Sequence, residues 1–443
     1  MVAVLVPPAG AVAVPVEELG DPPGTWWWDA LAVEEAHTKA TGAGVTVAIV
    51  DSIVDPTVPE LRGADVQPAY ISCGRNDVDP LPAERAFGSG PGTEHGTAMV
   101  SMVVGTGGSN GPAGSGPRGI APDATVRVYA YTETGEEEEA CPSDPGSSYG
   151  LVIKAAMEQA VADGVDIISL SANVGGVSLE PVLEEADRKG IVVLASVGSP
   201  GAPSIGYPAL LNEYGVVAVT AVGPDARVAD YVARGRGVVV AAPGTGIMTG
   251  GFVDGVWLSE GLNDGSSSAT ALTAGALALV KSRYPQATGR QLVQHLIRNT
   301  TDEELTYDES YGFGIVSLRK MLDNDPTVWQ DVNPLIRAER AGDVPEVYPN
   351  EEALASAAEP VPSAAPTAAA SEPAEAAVEA PGEAGQQPRA GDGGVPGWIW
   401  PVLLVVVLAA GAGPVLARRR GSPGTTDAEQ PDVDVSGSRS WGS

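Results

Sequence analysis

The sequence predicts an α/β protein whose sheet is mainly parallel and has helices on both faces. Helical stretches such as Leu151–Asp163 and Leu179–Lys189 separate several apolar segments. Parallel strands need such crossover connections, and strands buried on both faces are nearly continuous in apolar residues. Six segments rich in β-branched residues fit this description: Val45–Val50, Val126–Tyr131, Asp166–Ser171, Ile191–Ala195, Val216–Val222 and Val238–Ala242.

Composition limits the partners of the chain. Its 443 residues are enough for one large domain with additional segments, or for two domains. Hydrophobic residues make up 43% of the chain, as is usual for a globular protein, and the formal net charge is -32. A surface this acidic repels nucleic acid and anionic lipid over most of its area. We therefore expect no nucleic-acid partner, and the simplest role of the charge is solubility.

Two segments precede the predicted domain, which covers residues 45–322. Residues 1–20 are mostly apolar but begin without basic residues and contain early prolines, so they are predicted to be an atypical or truncated signal segment. Residues 21–44 form an N-terminal extension. In it, Trp26 to Leu31 and an apolar-periodic run to Ala40 predict a short helix that leads into the domain.

The C-terminal part predicts a membrane anchor. Residues 323–396 are rich in Pro, Ala and Glu and are expected to form an extended linker, because they cannot bury enough apolar surface. Residues 397–417 are uncharged, begin with two tryptophans and are long enough to cross a bilayer as a transmembrane helix. Three arginines follow, so residues 418–443 are predicted to be a cytoplasmic tail and the domain to be extracytoplasmic at the cell membrane.

The two cysteines, Cys73 and Cys141, lie in polar segments that are predicted to be surface loops. In an oxidising compartment they would form one disulfide that closes a long loop. The alternative is two unrelated thiols. Two cysteines without a nearby histidine do not make a zinc site.

An acid, an imidazole and a hydroxyl occur in the order Asp51, His95, Ser267, each at the edge of an apolar run. A serine hydroxyl becomes a good nucleophile when a base takes its proton and a carboxylate orients that base. His95 opens a predicted helix, Gly96–Val104, and is the candidate general base. Sites in α/β sheets gather at the carboxyl ends of strands. Asp51 directly follows Val50 and is therefore the candidate that accepts the His95 ring N–H.

Each candidate also has a structural explanation. Aspartate is common in turns after strands, and the three serines at 266–268 could cap the helix predicted at Ala269–Lys281. The positive end of that helix would equally favour a nucleophile. The chain has three histidines, and the other two, His37 and His295, are predicted to be surface or packing residues.

Around these candidates the chain resembles the subtilisin-like serine proteases, or subtilases, over roughly Val45 to Leu322. Residues 265–271, Gly-Ser-Ser-Ser-Ala-Thr-Ala, match the family motif Gly-Thr-Ser-x-Ala-x-Pro, which selects Ser267 as the nucleophile. His-Gly-Thr at 95–97, Asp-Ser-Ile at 51–53 and Gly-Ile-Ala-Pro at 119–122 match three further motifs. The order Asp, His, Ser is that of subtilisin. The resemblance implies a subtilisin-like fold and serine endopeptidase activity on protein or peptide substrates.

The chain departs from the family pattern at several positions. Subtilases usually have an oxyanion-binding Asn where this chain has Ser199, and loss of such a donor costs about 100- to 1000-fold in rate. Ile53 stands in place of a Gly, Ser266 in place of a Thr and Ala271 in place of a Pro. The resemblance therefore implies that all three triad residues are present and that the oxyanion hole is weakened.

The resemblance also implies further site features. Ser171, Ala172 and Asn173, which follow a predicted strand, would line the substrate cleft, although a serine at a strand end is also common in turns. No cofactor is required for this chemistry, and we expect no metal site. The acidic run at 136–139 is predicted to be a solvated loop.

A narrower resemblance is to the mycosins, membrane-anchored subtilases of type VII secretion systems. Its basis is Trp27-Trp28-Asp29-Ala30-Leu31 before the domain, together with the linker, the single span and the short tail. It implies an enzyme that processes secreted proteins in association with the secretion complex. The alternative is a weakly active or inactive protease fold that serves as a structural subunit of that complex.

Overall fold

A seven-stranded sheet organises the computed structural model, which describes residues 24–73, 81–111, 114–134, 141, 148–198 and 204–336. The strand order is β2-β3-β1-β4-β5-β6-β7, and every neighbouring pair is parallel. This confirms the predicted α/β class. The strands are β1 (Thr46–Ser52), β2 (Val66–Ile71), β3 (Thr125–Thr132), β4 (Ile167–Leu170), β5 (Val192–Ser196), β6 (Val216–Val222) and β7 (Val240–Pro243).

The six predicted strands are all present, each with ends within two residues of the prediction. They were visible because their residues are buried on both faces; β5, for example, is buried at every position. β2 was missed. It lies at the edge of the sheet, its side chains are mostly half-exposed, and Pro68 interrupts its apolar pattern. Proline is tolerated in edge strands because an edge N–H needs no partner in the sheet.

Helices cover the sheet in groups. α3 and α6 pack against each other and against β1, whereas α4 packs over β3 and contacts α5. Helices α4 and α5 start and end within two residues of their predicted bounds. The helices are α1 (Trp26–Ala30), α2 (Val33–His37), α3 (Glu94–Val104), α4 (Tyr149–Asp163), α5 (Glu180–Arg188), α6 (Ser266–Arg283), α7 (Gly289–Arg298) and α8 (Leu318–Asp323).

The N-terminal extension differs from the single short helix expected there. The chain forms two helices, α1 and α2, and the break between them contains Ala32 in the left-handed region at φ 54°. Within the segment, Trp28 packs edge-on against His37. Nε2 of His37 lies 2.9 Å from the Ile120 carbonyl oxygen, and this contact joins the segment to the domain. His37 is therefore a packing residue, as predicted.

Two small antiparallel pairs were not predicted. β9 (Gly251–Val253) and β10 (Val256–Leu258) form a hairpin, while β8 (Ile247–Met248) pairs with β11 (Leu262–Asn263). The strands are too short for periodicity to reveal them. The dipeptide Asp254-Gly255 was the available signal, because both residues have positive φ, as the tightest hairpin turns require.

Helix α6 is the central helix of the domain, and a glycine lets it approach its neighbour closely. A Cβ on Gly275 would lie only 2.0 Å from Cγ2 of Ile120, and both residues are in the buried interior. Ile120 belongs to the Gly-Ile-Ala-Pro motif at 119–122. The motif and the small residues of α6 therefore form one close-packed contact.

Cys73 and Cys141 form a disulfide across 68 residues, which confirms the predicted pairing. The two cysteines themselves are not exposed, while most of the polar segments predicted to be surface loops lie outside the described residues. Cys73, two residues after the end of β2, is fully buried, and Cys141 is also buried. The flanking polar residues are what suggested exposure, but the sulfur atoms themselves belong to the apolar core.

Several predicted segments fall outside the described residues. They include the signal segment at 1–20, the part of the predicted linker from residue 337 onward, the span at 397–417, the tail at 418–443 and the acidic run at 136–139. Residues 323–336 are described, and for them the expectation of an extended linker is wrong: Leu335 is buried, and the side chains of Gln291 and Gln294 donate to the carbonyls of Trp329 and Val332. The boundary was placed too early because the Pro-, Ala- and Glu-rich composition begins only later in the chain. None of the helices in the described ranges combines the length and the apolar composition needed to cross a bilayer.

We expect Gly275→Ala to destabilise the fold by about 1–3 kcal/mol, because the new methyl group overlaps Ile120. This loss should exceed the gain of about 1 kcal/mol that Ala brings to a helix interior. The measurement is the free energy of unfolding in urea. Ile120→Ala removes the overlapping atom. The double variant should therefore lose less stability than the sum of the losses in the two single variants. Simple additivity would contradict the close contact.

Candidate active site

Asp51 lies near the carboxyl end of β1, the strand between β3 and β4. It was predicted to follow the strand. In the structure the strand continues through Ser52, with a shift in its pairing to β3 between these two residues. The Asp51 side chain is only 2% exposed. The backbone N–H of Ser52 donates to its Oδ1 at 2.7 Å, which orients the carboxylate.

His95 is the second residue of α3, and two hydrogen bonds join this helix start to the end of β1. The Gly96 N–H donates to Oγ of Ser52 at 3.0 Å, and the Asp55 N–H donates to Oγ1 of Thr97 at 2.9 Å. Because of this link, Nδ1 of His95 lies 2.8 Å and 2.9 Å from the two carboxylate oxygens of Asp51. The structure thus brings together two of the three predicted residues.

The pKa of His95 is raised above its usual value of 6.5 by competing effects. Burial opposes the charged ring and lowers the pKa. The charge and hydrogen bond of Asp51, with a smaller contribution from the charge of Glu94, outweigh burial. The side chain is still 39% exposed, so solvent can reach the ring. With Nδ1 facing Asp51, Nε2 is the nitrogen available to a reacting group.

Ser267 lies in the first turn of α6, which begins at the carboxyl ends of the parallel strands, where Asp51 also lies. The Gly265 N–H donates to the Gly244 carbonyl just beyond β7, and Oγ of Ser266 donates to the Gly198 carbonyl just beyond β5. Helices α3 and α6 pack against each other. Neither the Ser267 hydroxyl nor Nε2 of His95 makes a hydrogen bond within the described ranges.

The alternative that the serines cap α6 is wrong. Gly265 is the N-cap residue, and no side chain caps this end of the helix. Ser266 and Ser268 are buried, whereas Ser267 is partly exposed. Of the three serines, Ser267 is therefore the one that a ligand can contact.

Ser171, Ala172 and Asn173 follow β4, the neighbour of β1, at the same edge. The Ser171 hydroxyl is buried and has no hydrogen-bond partner among the described residues. Ala172 is buried and Asn173 is exposed, with its amide group close to the backbone of Gly206. A buried hydroxyl without a partner is costly unless something else satisfies it.

Ser199, the predicted oxyanion donor, lies outside the described residues, which stop at Gly198 and resume at Ser204. Gly198 itself has φ 113°, a conformation that favours glycine, and its carbonyl accepts the Ser266 hydroxyl. Gly198, the last described residue before segment 199–203, is therefore fixed by a hydrogen bond to the start of α6.

Two contacts near His95 were not predicted. Ser52 supports the start of α3, and the Glu94 carboxylate accepts the Phe252 N–H of the β9–β10 hairpin at 3.2 Å. Ser52 belongs to a recognised motif and could have been found. Nothing in the sequence connects Glu94 with a hairpin more than 150 residues away. His295, as predicted, is a packing residue; its Nε2 lies 2.7 Å from the Met321 carbonyl oxygen.

The parallel sheet, the Asp51–His95 pair and the serine at the start of a central helix are the features of a subtilisin-type serine peptidase. The sequence profile of the subtilase family (Peptidase_S8) matches residues 42–314, so the chain belongs to the subtilase family. Subtilisin E of Bacillus subtilis (strain 168) is 28% identical over 294 residues, which cover 63% of this chain and 66% of the relative. The match thus spans slightly less than two thirds of that relative.

The chain is also similar to mycosins. Mycosin-1 of Mycobacterium tuberculosis (strain ATCC 25618 / H37Rv) is 27% identical over 356 residues, which cover 70% of this chain and 74% of the relative. The crystal structure of MycP1 from Mycobacterium smegmatis superposes with a TM-score of 0.54 at 22% identity, over 76% of this chain and 92% of that chain. At this identity the structural match supports the fold alone.

Asp51→Asn should lower the pKa of His95, because the protonated ring loses its attraction to a buried carboxylate while burial still opposes the charge. Titration of the three histidines by NMR, with His95 assigned through His95→Gln, measures the change. Asp123→Asn, which removes a carboxylate elsewhere in the domain, is the control and should leave the His95 pKa unchanged. An equal His95 pKa in Asp51→Asn and the wild-type protein would contradict the pairing.

Proposed function

We propose that this protein is a membrane-anchored, extracytoplasmic serine endopeptidase that uses Asp51, His95 and Ser267. The observation that carries the proposal is the buried Asp51 carboxylate bound to Nδ1 of His95. This contact fixes the tautomer in which Nε2 can accept a proton, and it stabilises the imidazolium that then forms. An aspartate that only ended a strand could face solvent, whereas the Asp51 side chain is 2% exposed and is paired with the ring.

Ser267 acts as the nucleophile in this proposal. His95 takes the Ser267 proton as the hydroxyl attacks a peptide carbonyl, and it later gives that proton to the leaving amine. The N–H groups in the first turn of α6 have no acceptors within the helix, and the helix dipole favours negative charge there. The Ser267 N–H and Ser199 would bind the oxyanion. Ser171, Ala172 and Asn173 would line the substrate cleft, with the exposed Asn173 side chain able to reach the substrate.

We further infer that the substrates are secreted proteins and that the protein works with a type VII secretion complex. Mycosin-like sequence features support this inference, including the tryptophan-rich extension and the predicted span at 397–417. One of the solved structures with the same fold is that of the MycP3 protease from the type VII (ESX-3) secretion system. The predicted span would hold the domain at the outer side of the cell membrane.

A second candidate function is a structural subunit of the secretion complex with little or no peptidase activity. The observation that favours it is the missing hydrogen bond between Ser267 and His95 in the described structure, together with a Ser at position 199. The retained Asp51–His95 contact favours the enzyme.

A fluorophosphonate probe on the full-length protein in detergent separates the two functions. We expect covalent labelling that disappears in Ser267→Ala and persists in Ser268→Ala, since a triad activates only the serine next to its base. His95→Ala should also abolish labelling. A folded wild-type protein that remains unlabelled would exclude the peptidase and leave the structural role.

Ser199→Asn should raise kcat on a peptide substrate by about tenfold or more, because a preorganised oxyanion donor contributes about 100- to 1000-fold and a serine hydroxyl reaches less far. Ser199→Ala should lower kcat. Ser204→Asn, a few residues along the chain, is the matched control and should have little effect. An unchanged or lower kcat in Ser199→Asn would place Ser199 outside the oxyanion hole.

A further inference from the structure

The β9–β10 hairpin is held on both edges by side chains from other parts of the domain. Val253 and Val256 flank the two-residue turn, so Phe252 and Trp257 form the next pair, whose main-chain groups point away from the partner strand. The outward Trp257 carbonyl accepts from Nδ2 of Asn110 at 3.0 Å. The outward N–H of Phe252 donates to the Glu94 carboxylate at 3.2 Å.

The buried carboxylate of Glu60 also holds the hairpin in place. The Trp257 ring packs edge-on against Phe252, and its Nε1–H donates to Oε1 of Glu60 at 2.8 Å. Ser259 donates to the other oxygen of Glu60 at 2.9 Å. The hairpin is therefore a fixed part of the domain, and Glu94 is its contact with the helix that carries His95.

We propose that Glu94 is a positioning residue, which holds the β9–β10 hairpin against the first turn of α3 and keeps a second negative charge beside the His95 ring. Glu94 directly precedes His95 in the first turn of α3, and its charge favours the protonated ring. Its hydrogen bond to Phe252 fixes where the carboxylate lies. The Phe252 hydrogen bond supports the positioning of Glu94, and the consequence for catalysis rests on the peptidase function proposed above.

The charged groups around His95 support this role. Asp51 and Glu94 are the two that act on the ring, and both favour its protonated form. The other charged residues on segments that pack against α3 are Asp55 and Glu60 after β1, Arg127 on β3, and Lys281 and Arg283 at the far end of α6.

The charge of Glu94 affects the pH at which His95 becomes available as a base. A general base works in its neutral form, so activity rises with pH as His95 loses its proton. A second carboxylate shifts this rise to higher pH. Without the Glu94 charge, His95 would lose its proton at lower pH, and the acidic limb of the activity profile would move in the same direction.

The first test compares Glu94→Gln with the wild-type full-length protein by histidine NMR. Gln keeps an oxygen that can accept the Phe252 N–H but removes the charge. We expect the His95 titration midpoint to fall by roughly half a pH unit, the size of one partly screened charge, and by less than in Asp51→Asn. Glu84→Gln, at an exposed carboxylate outside the site, should leave the midpoint unchanged. A midpoint that does not move in Glu94→Gln overturns the electrostatic role.

The second test measures hydrogen exchange of the Phe252 amide. Glu94→Ala removes the acceptor, so exchange should accelerate by about tenfold or more, whereas Glu94→Gln should stay close to the wild-type rate. Amides of the central strand β4 report whether the variant remains folded. Equal Phe252 exchange in Glu94→Ala and in the wild-type protein, with β4 protected, overturns the positioning role.

A third measurement separates this proposal from the peptidase function. If the wild-type protein reacts with a fluorophosphonate, the acidic limb of its labelling rate should shift with the NMR midpoint in Glu94→Gln. A limb that stays in place while the midpoint moves overturns the catalytic consequence. If the wild-type protein does not react, the peptidase function fails, and the NMR and exchange results still decide the role of Glu94.

Discussion

The arrangement at the sheet edge depends on a buried carboxylate that must be paired. Asp51 sits in a strand that is buried along nearly its whole length, so its charge has little contact with water. A charge in that position is costly unless a partner and hydrogen bonds compensate for it. The Ser52 N–H and the His95 ring supply these partners. The position of α3, and with it the placement of the base, follows from this requirement.

Much of the fold was predictable because burial on two faces leaves an unmistakable pattern. β5 and β6 are continuous apolar runs, and they were predicted closely. β2 was missed because an edge strand is only half-buried and can contain a proline. The break at Ala32 was missed because its left-handed backbone is set by packing, and alanine carries no local signal for it.

The candidate site was predictable in a different way. Asp51, His95 and Ser267 were found through motifs, and the geometry of the first two follows from strand-end and helix-start rules. Glu94 was invisible because its partner, Phe252, is distant in the chain and the contact uses a backbone N–H, which any residue except proline provides. The buried state of Cys73 was likewise hidden, since its sequence neighbours are polar and only the tertiary fold covers the sulfur.

The proline in β2 has a consequence for how copies of this protein behave at high concentration. An uncovered edge strand can pair with the same edge of another molecule and so begin an aggregate. Pro68 removes one donor from that edge, and the pairing with β3 shifts register between Pro68 and Tyr70. At the opposite edge of the sheet, Ala241 of β7 forms a β-bridge with Ile315, which occupies that edge. Both borders of the sheet are thus poor templates for self-association.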